Sequence, residues 1–223
     1  LAKEYQGAAV EMSTETLALI RSLVEEKEIP LSSLVQAQLR PYQLRGYRWL
    51  VQNSKVGFGS VIADDMGLGK TLQVIAAIVK LKEEGVLQGR PLLVVVPTTL
   101  LTNWQKEIEK FAPTLTAAVY HGGGRKLFKQ VSDVLLTTYG VLRSDHEKLK
   151  KEKWAGVIID EAQNIKNPET AQTKAVKSIP APIKIAMSGT PVENRLTDYW
   201  SIFDFVQKGY LGNMKDFLTK FAV

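Results

Sequence analysis

The passage that most restricts what this chain can become runs from Val61-Ile62-Ala63 through Asp64-Asp65-Met66-Gly67-Leu68-Gly69-Lys70-Thr71 into Leu72, Ile75, Ile78 and Val79. An apolar β-type run, a glycine-bearing loop and a helical repeat follow one another directly. Glycines let the backbone turn so tightly that successive N–H groups converge on phosphate oxygens, and the next helix adds its partial positive charge at the same spot. In such an arrangement Asp65, Met66, Gly67, Leu68 and Gly69 form the phosphate cradle, Lys70 reaches the β- and γ-phosphates of a nucleotide and the Thr71 hydroxyl ligates Mg²⁺. The first glycine of the strict pattern is Asp64 here. A flexible surface turn before a helix is the other reading, and the flanking strand and helix argue against it.

Such a loop needs a sheet to stand on. Runs rich in Val, Ile and Leu at 60–63, 91–96, 116–120, 133–137, 156–159 and 183–187 alternate with helical patterns. Leu92-Leu93-Val94-Val95-Val96 and Val157-Ile158-Ile159 are apolar throughout, as strands covered by helices on both faces must be. The expected fold is therefore α/β, a mostly parallel sheet flanked by helices, with helical additions at both ends. One helix is expected from the Ser13-Thr14 cap to the break at Pro30, within a helical extension over 1–36, and another from Pro41 through Leu50.

The run Trp154-Ala155-Gly156-Val157-Ile158-Ile159 delivers Asp160 and Glu161 to the carboxyl end of a buried strand, the edge at which ligands sit in open α/β sheets. Asp160 suits Mg²⁺, directly or through water, and Glu161 suits the orientation or deprotonation of an attacking water. An Asp-Glu pair alone is commonly a solvated strand end; beside Lys70 and Thr71 in one fold it becomes half of a site. With no cysteine, and with His121 and His146 far apart in the chain, metal chemistry must rest on oxygen ligands.

Charge is the next constraint. Twenty-nine Lys+Arg against 23 Asp+Glu leave +6, with a pI near 9.3, which suits a polyanionic partner or an ordinary lysine-rich surface. The longest uncharged stretch, 91–105, is broken by Pro97 and falls short of the roughly 20 apolar residues that cross a bilayer, so no membrane span is expected. The chain starts at Leu1 without a secretory pattern and reads as part of a longer intracellular protein.

Four segments occur in order: Leu39-Arg40-Pro41-Tyr42-Gln43-Leu44-Arg45-Gly46-Tyr47-Arg48-Trp49-Leu50, the loop ending in Lys70-Thr71, Asp160-Glu161-Ala162-Gln163-Asn164-Ile165-Lys166-Asn167, and Ser188-Gly189-Thr190-Pro191. Together they resemble the motifs of superfamily two helicases. The Asp-Asp-Met-Gly-Leu-Gly-Lys-Thr wording, the Ile-Lys-Asn and the Val192-Glu193-Asn194 resemble the Swi/Snf-type DNA translocases in particular, whereas RNA helicases of the superfamily usually carry Asp-Glu-Ala-Asp and Ser-Ala-Thr. The resemblance implies a first RecA-like ATP-binding lobe over 37–198 and the start of a helical protrusion over 199–223. It implies ATP and Mg²⁺ as cofactors, double-stranded DNA as partner, a DNA-dependent ATPase and a monomer. A second RecA-like lobe of the same polypeptide would complete the site with arginines. It further implies that Gln43 reads the adenine edge, that Ser188, Gly189 and Thr190 relay nucleotide state, and that Gln163 couples the acidic pair to them. Its strand-gripping tracks match Thr98, Thr99 and Trp104, then Gly122, Gly123, Arg125 and Lys126, then Thr138 and Tyr139, which would hold phosphates without reading bases. Trp104, at helical spacing with Leu100, Leu101 and Ile108, equally suits a core position. The compartment would be prokaryotic cytoplasm or a nucleus. A strand-separating DNA or RNA helicase, and a nucleotide-binding switch without a polynucleotide track, stand as competing functions.

Overall fold

In the computed structural model, which describes residues 4–5, 8–9, 12–24, 28–125, 132–189 and 196–221, the chain divides into two bodies, Leu1–Pro30 and Leu31–Val223. The first holds a short antiparallel pair, β1 (Glu4–Tyr5) and β2 (Ala8–Ala9), and the helix α1 (Thr14–Val24). Ser13 opens α1, its hydroxyl accepting the Thr16 N–H at 3.2 Å. The expected helix is present, while two-residue strands leave no periodic signal to read. Residues 31–36 are tied into the second body, where the Ser32 hydroxyl donates to Glu83 at 3.1 Å and the Gln36 N–H to the Phe111 carbonyl at 2.8 Å.

The second body runs α2 (Pro41–Val56), β3 (Ser60–Ile62), α3 (Lys70–Glu83), β4 (Leu92–Val96), α4 (Leu101–Phe111), β5 (Ala117–Tyr120), β6 (Val134–Thr138), α5 (Tyr139–Leu149), β7 (Gly156–Ile159), α6 (Ala171–Lys177), β8 (Ile183–Met187), α7 (Leu196–Val206) and α8 (Met214–Phe221). All six expected strands form, within a residue or two of their expected bounds. They make one sheet in the order β3-β8-β7-β4-β6-β5, parallel at every pairing. Every residue of β4 and of β7 is buried, because helices cover both faces there. Among the described residues no helix is long and apolar enough to cross a membrane.

The strand order does the positional work. β3 is an edge strand, β8 lies beside it and β7 beside that, so the loops leaving these three carboxyl ends are neighbours although they start at positions 63, 160 and 188. The main chain confirms the alignment: the Ser188 N–H donates to the Ile62 carbonyl and the Asp160 N–H to the Val95 carbonyl, both at 2.9 Å. α7 completes the body, with the Ser201 hydroxyl on the Ile165 carbonyl at 2.7 Å and Lys177 paired with Asp204 at 2.9 Å.

Gly156 opens β7 between two neighbours. A Cβ there would lie 2.7 Å from Leu92 Cδ2 and 2.9 Å from Ile183 Cβ. Gly156→Val is therefore expected to destabilise the protein by about 1–3 kcal/mol through overpacking. Gly140→Ala, in the first turn of α5 with nothing within 4 Å of the added carbon, is expected to stabilise it by roughly 0.5–1 kcal/mol. Urea unfolding midpoints of the two variants against wild type check both signs.

Candidate functional site

The loop after β3 owes its shape to two residues in the left-handed region, Gly67 at φ 80° and Gly69 at φ 76°. Side chains are strained there, and at Gly69 a Cβ would also run into the Gln43 amide. The 14-residue helix α3 starts at Lys70, whose ammonium donates to the Asp64 carbonyl at 2.6 Å and the Asp65 carbonyl at 2.9 Å. α2 braces the loop from the other side: the Tyr42 hydroxyl and Gln43 Nε2 both donate to the Leu68 carbonyl, at 3.1 and 3.0 Å. Gln43 is buried, and its Oε1 accepts the Arg40 N–H at 2.9 Å. One amide hydrogen and one lone pair are left over for an adenine edge. Thr71 is half-buried at the start of α3, and Asp65 and Met66 are exposed.

The acidic pair sits across from this loop. Asp160 is 6% exposed; its Oδ2 accepts the Trp104 indole N–H and its Oδ1 the Glu161 N–H, each at 2.8 Å. Burial raises its pKa, opposed by those two hydrogen bonds; the Glu161 charge raises it further and the Lys70 charge lowers it. The sensitivity to Lys70 places the lysine of the loop within electrostatic reach of the carboxylate. Glu161 adopts the left-handed conformation at φ 52°, ψ 59°, which costs a non-glycine residue about 1–2 kcal/mol and is tolerated where surrounding bonds overdetermine it. Its Oε2 accepts from Gln163 Nε2 at 2.7 Å, and Gln163 Oε1 accepts the buried Ser188 hydroxyl at 3.1 Å. One amide thus joins the acidic pair to the end of β8. Gly189 closes the ring, since a Cβ on it would lie 3.0 Å from Met66 Cγ in the glycine loop. Thr190 lies outside the described residues.

These residues fit Mg²⁺ and a nucleoside triphosphate. A strand-loop-helix with two left-handed glycines suits phosphates, and Asp160 is a carboxylate fixed by Trp104 and the Glu161 main chain. Among the described residues no group of three His, Cys, Asp or Glu could hold a metal alone. A divalent ion here depends on Asp160, Thr71 and the phosphate oxygens of the nucleotide itself.

The residues expected to grip a polynucleotide divide sharply. Thr98, Thr99, Gly122 and Gly123 are exposed on loops after β4 and β5. Trp104 is fully buried, so the expectation of a DNA contact is corrected: its ring fills the core and its N–H belongs to Asp160. Tyr139 is corrected likewise; it is 4% exposed and its hydroxyl donates to the Asp160 carbonyl at 2.7 Å, with burial beside Asp160 and Glu161 pushing its pKa up. Thr138 is 3% exposed and caps α5 through the Val141 N–H at 3.4 Å. Arg125 is not a free phosphate contact either: Nε and Nη2 grip Asp145 at 2.8 and 3.1 Å, and Nη1 donates to the Gly122 carbonyl at 2.8 Å. Lys126 lies outside the described residues. In each case the residue type suits both roles, and only packing separates them.

Tyr42 and Gln73 brace the glycine loop without having drawn attention in the sequence. Gln73 is buried and donates to Asp64 Oδ2 at 3.3 Å. The legible signal was Gly46, a glycine inside a helix, which usually marks a close approach; a Cβ on it would strike the Gln73 side chain.

The model of the SNF2-related domain matches residues 42–223. The chain is 42% identical over 228 residues to the putative ATP-dependent helicase/translocase YwqA of Bacillus subtilis, covering 98% of this chain and 25% of that protein. It is 35% identical over 214 residues to the TATA-binding protein-associated factor mot1 of Aspergillus fumigatus, covering 89% and 11%. The SWI2/SNF2 ATPase core of Sulfolobus solfataricus in complex with dsDNA superposes with a TM-score of 0.80 at 47% identity, covering 87% of this chain and 41% of that one. The chain spans a quarter or less of the length of these two curated relatives.

Arg125 and the Tyr120 hydroxyl, at 2.6 Å, hold the Asp145 carboxyl down from 3.8 to about 2. A depressed folded pKa contributes stability that is present above the unfolded value and lost as pH falls through the folded one. Asp145→Asn is expected to remove that component, flattening the loss of stability between pH 3.8 and about 2. Denaturation midpoints measured across that window, against wild type, check it.

Proposed function

The chain belongs to the SNF2-related family, and on that premise we propose that it is the first lobe of an ATP-driven translocase on double-stranded DNA. Its six-stranded parallel sheet has the RecA-like fold of the SWI2/SNF2 ATPase core. One observation carries the reading: Lys70, the Asp160-Glu161 pair and Ser188 meet at the carboxyl ends of three adjacent strands, joined by the Gln163 amide.

Thr71 and Asp160 would hold Mg²⁺, which would supply charge neutralisation at the phosphates. Lys70 adds a cation to the phosphate oxygens and the left-handed loop adds N–H donors. Gln43 reads the adenine edge with the polar capacity it retains. Glu161 orients the attacking water or takes its proton, and Gln163 passes any displacement of Glu161 to Ser188, Gly189 and Thr190. Thr98, Thr99, Gly122 and Gly123 meet the sugar-phosphate backbone through hydroxyls and main-chain N–H groups, which read no bases. The net charge of +6 and the duplex in the Sulfolobus structure both favour DNA as the polymer.

A second RecA-like lobe of the same polypeptide supplies the arginines that stabilise the transition-state charge. The protein works as a monomer with the DNA of a prokaryotic cytoplasm or a nucleus. Strand separation is the second reading, favoured by relatives named ATP-dependent helicases; unwinding of a duplex with a free-strand tail decides between them.

In the full-length protein, Glu161→Gln is expected to retain nucleotide binding and lose turnover by about 10²–10⁴-fold, while Lys70→Ala weakens binding itself. Hydrolysis with duplex DNA, single-stranded DNA, RNA and no polymer, beside nucleotide titration, measures both. Wild-type turnover by Glu161→Gln removes its assigned role. The 223-residue chain alone is expected to bind Mg·ATP yet hydrolyse it about 10³–10⁵-fold more slowly than the two-lobe protein, the range that supplied arginines are worth. Robust duplex-stimulated hydrolysis by the single lobe would refute the need for a second one.

A further inference from the structure

Two aromatic residues outside the nucleotide cradle converge on one atom set. Trp104 donates its indole N–H to Asp160 Oδ2 at 2.8 Å, and Tyr139 donates its hydroxyl to the Asp160 carbonyl at 2.7 Å. Trp104 is the fourth residue of α4, directly after the loop that exposes Thr98 and Thr99. Tyr139 is the first residue of α5, where β6 ends. β6 and β7 flank β4, with Val96 opposite Thr138 and Val95 opposite Ile159, so the two loops and Asp160 share one stretch of the sheet edge.

We propose that Trp104 and Tyr139 are positioning residues that set the aim of the Asp160 carboxylate, Trp104 in answer to DNA seated on the exposed Thr98 and Thr99, and Tyr139 by holding the Asp160 peptide. The inference rests on the nucleotide and DNA reading above. Packing alone requires no such bond: phenylalanine at 104 would also place an aromatic ring in the core, without aiming a donor at a carboxylate. Indole has one donor and no alternative partner when fully buried, so Asp160 cannot turn from it without stranding that N–H. Movement of α4 and rotation of the carboxylate are therefore one event. The other oxygen of Asp160 accepts the Glu161 N–H, and Glu161 sits in a left-handed conformation wired through Gln163 to Ser188. A displacement that begins at an exposed threonine thus reaches the water-orienting carboxylate and the end of β8 through hydrogen bonds alone.

Coupling between two ligands is measured by how far each changes the affinity of the other, typically about 5- to 150-fold, and it is reciprocal. In the full-length protein, the dissociation constant of a blunt DNA duplex is measured with and without Mg²⁺ and ADP, and that of a fluorescent ADP with and without duplex. Wild type is expected to show a coupling ratio in that range. Trp104→Phe, which puts a smaller ring in place of the indole, and Tyr139→Phe, which keeps its ring, both delete the donor and are each expected to bring the ratio to within about twofold of unity, well below that range. A purely structural role would lower the thermal midpoint and leave the ratio at its wild-type value. A wild-type ratio in either folded variant overturns the proposal, and if Trp104→Phe fails to fold, Tyr139→Phe decides alone. Wild type that binds both ligands without coupling them also overturns it, leaving the site assignment intact. Wild type that binds no Mg·ADP, or no duplex, brings down the site assignment and the inference together.

Discussion

A carboxylate at the end of a wholly buried strand is tolerable only while its lone pairs are occupied, and the architecture around Asp160 follows from that requirement. Burial disfavours its charged form, and two donors offset this, the Trp104 indole and the Glu161 main chain, while the Tyr139 hydroxyl holds the carbonyl of the same residue. The last two constrain the backbone on both sides of the peptide, which explains how Glu161 can persist at φ 52°. Removing one donor would leave either a buried charge or a buried N–H without its partner, at a cost of about 1–3 kcal/mol.

The glycine loop meets the opposite problem. It must leave main-chain N–H groups pointing outward for phosphates, so it cannot stabilise itself by ordinary turn bonds. Its carbonyls are tied down instead, those of Asp64 and Asp65 by Lys70 and that of Leu68 by Tyr42 and Gln43. α2 is therefore part of the nucleotide site although it lies before β3 in the chain. Gly46 and Gly69 are small because Gln73 and Gln43 occupy the space a side chain would need.

Around these two anchors, Thr98, Thr99, Gly122 and Gly123 are exposed on the segments after β4 and β5. Arg125 illustrates the division of labour: it spends its guanidinium on Asp145 and the Gly122 carbonyl, fixing the turn that leaves Gly122 and Gly123 exposed. α7 likewise is tied into the same body, Ser201 to the Ile165 carbonyl after β7 and Asp204 to Lys177 at the end of α6.

The sequence by itself determined the six strands, the glycine loop, the acidic pair and the family, because each is local: apolar runs, glycine spacing and carboxylates at a strand end are properties of neighbouring residues. Tertiary structure alone decided that β3, β8 and β7 stand side by side, that Gln163 spans from Glu161 to Ser188, and that Trp104, Thr138 and Tyr139 turn inward. Strand order and side-chain direction are settled by long-range packing, and an aromatic or hydroxyl residue after a strand suits a ligand-facing loop and a buried hydrogen bond equally well. Only the burial of a charge at Asp160, needing donors from distant elements, breaks that tie.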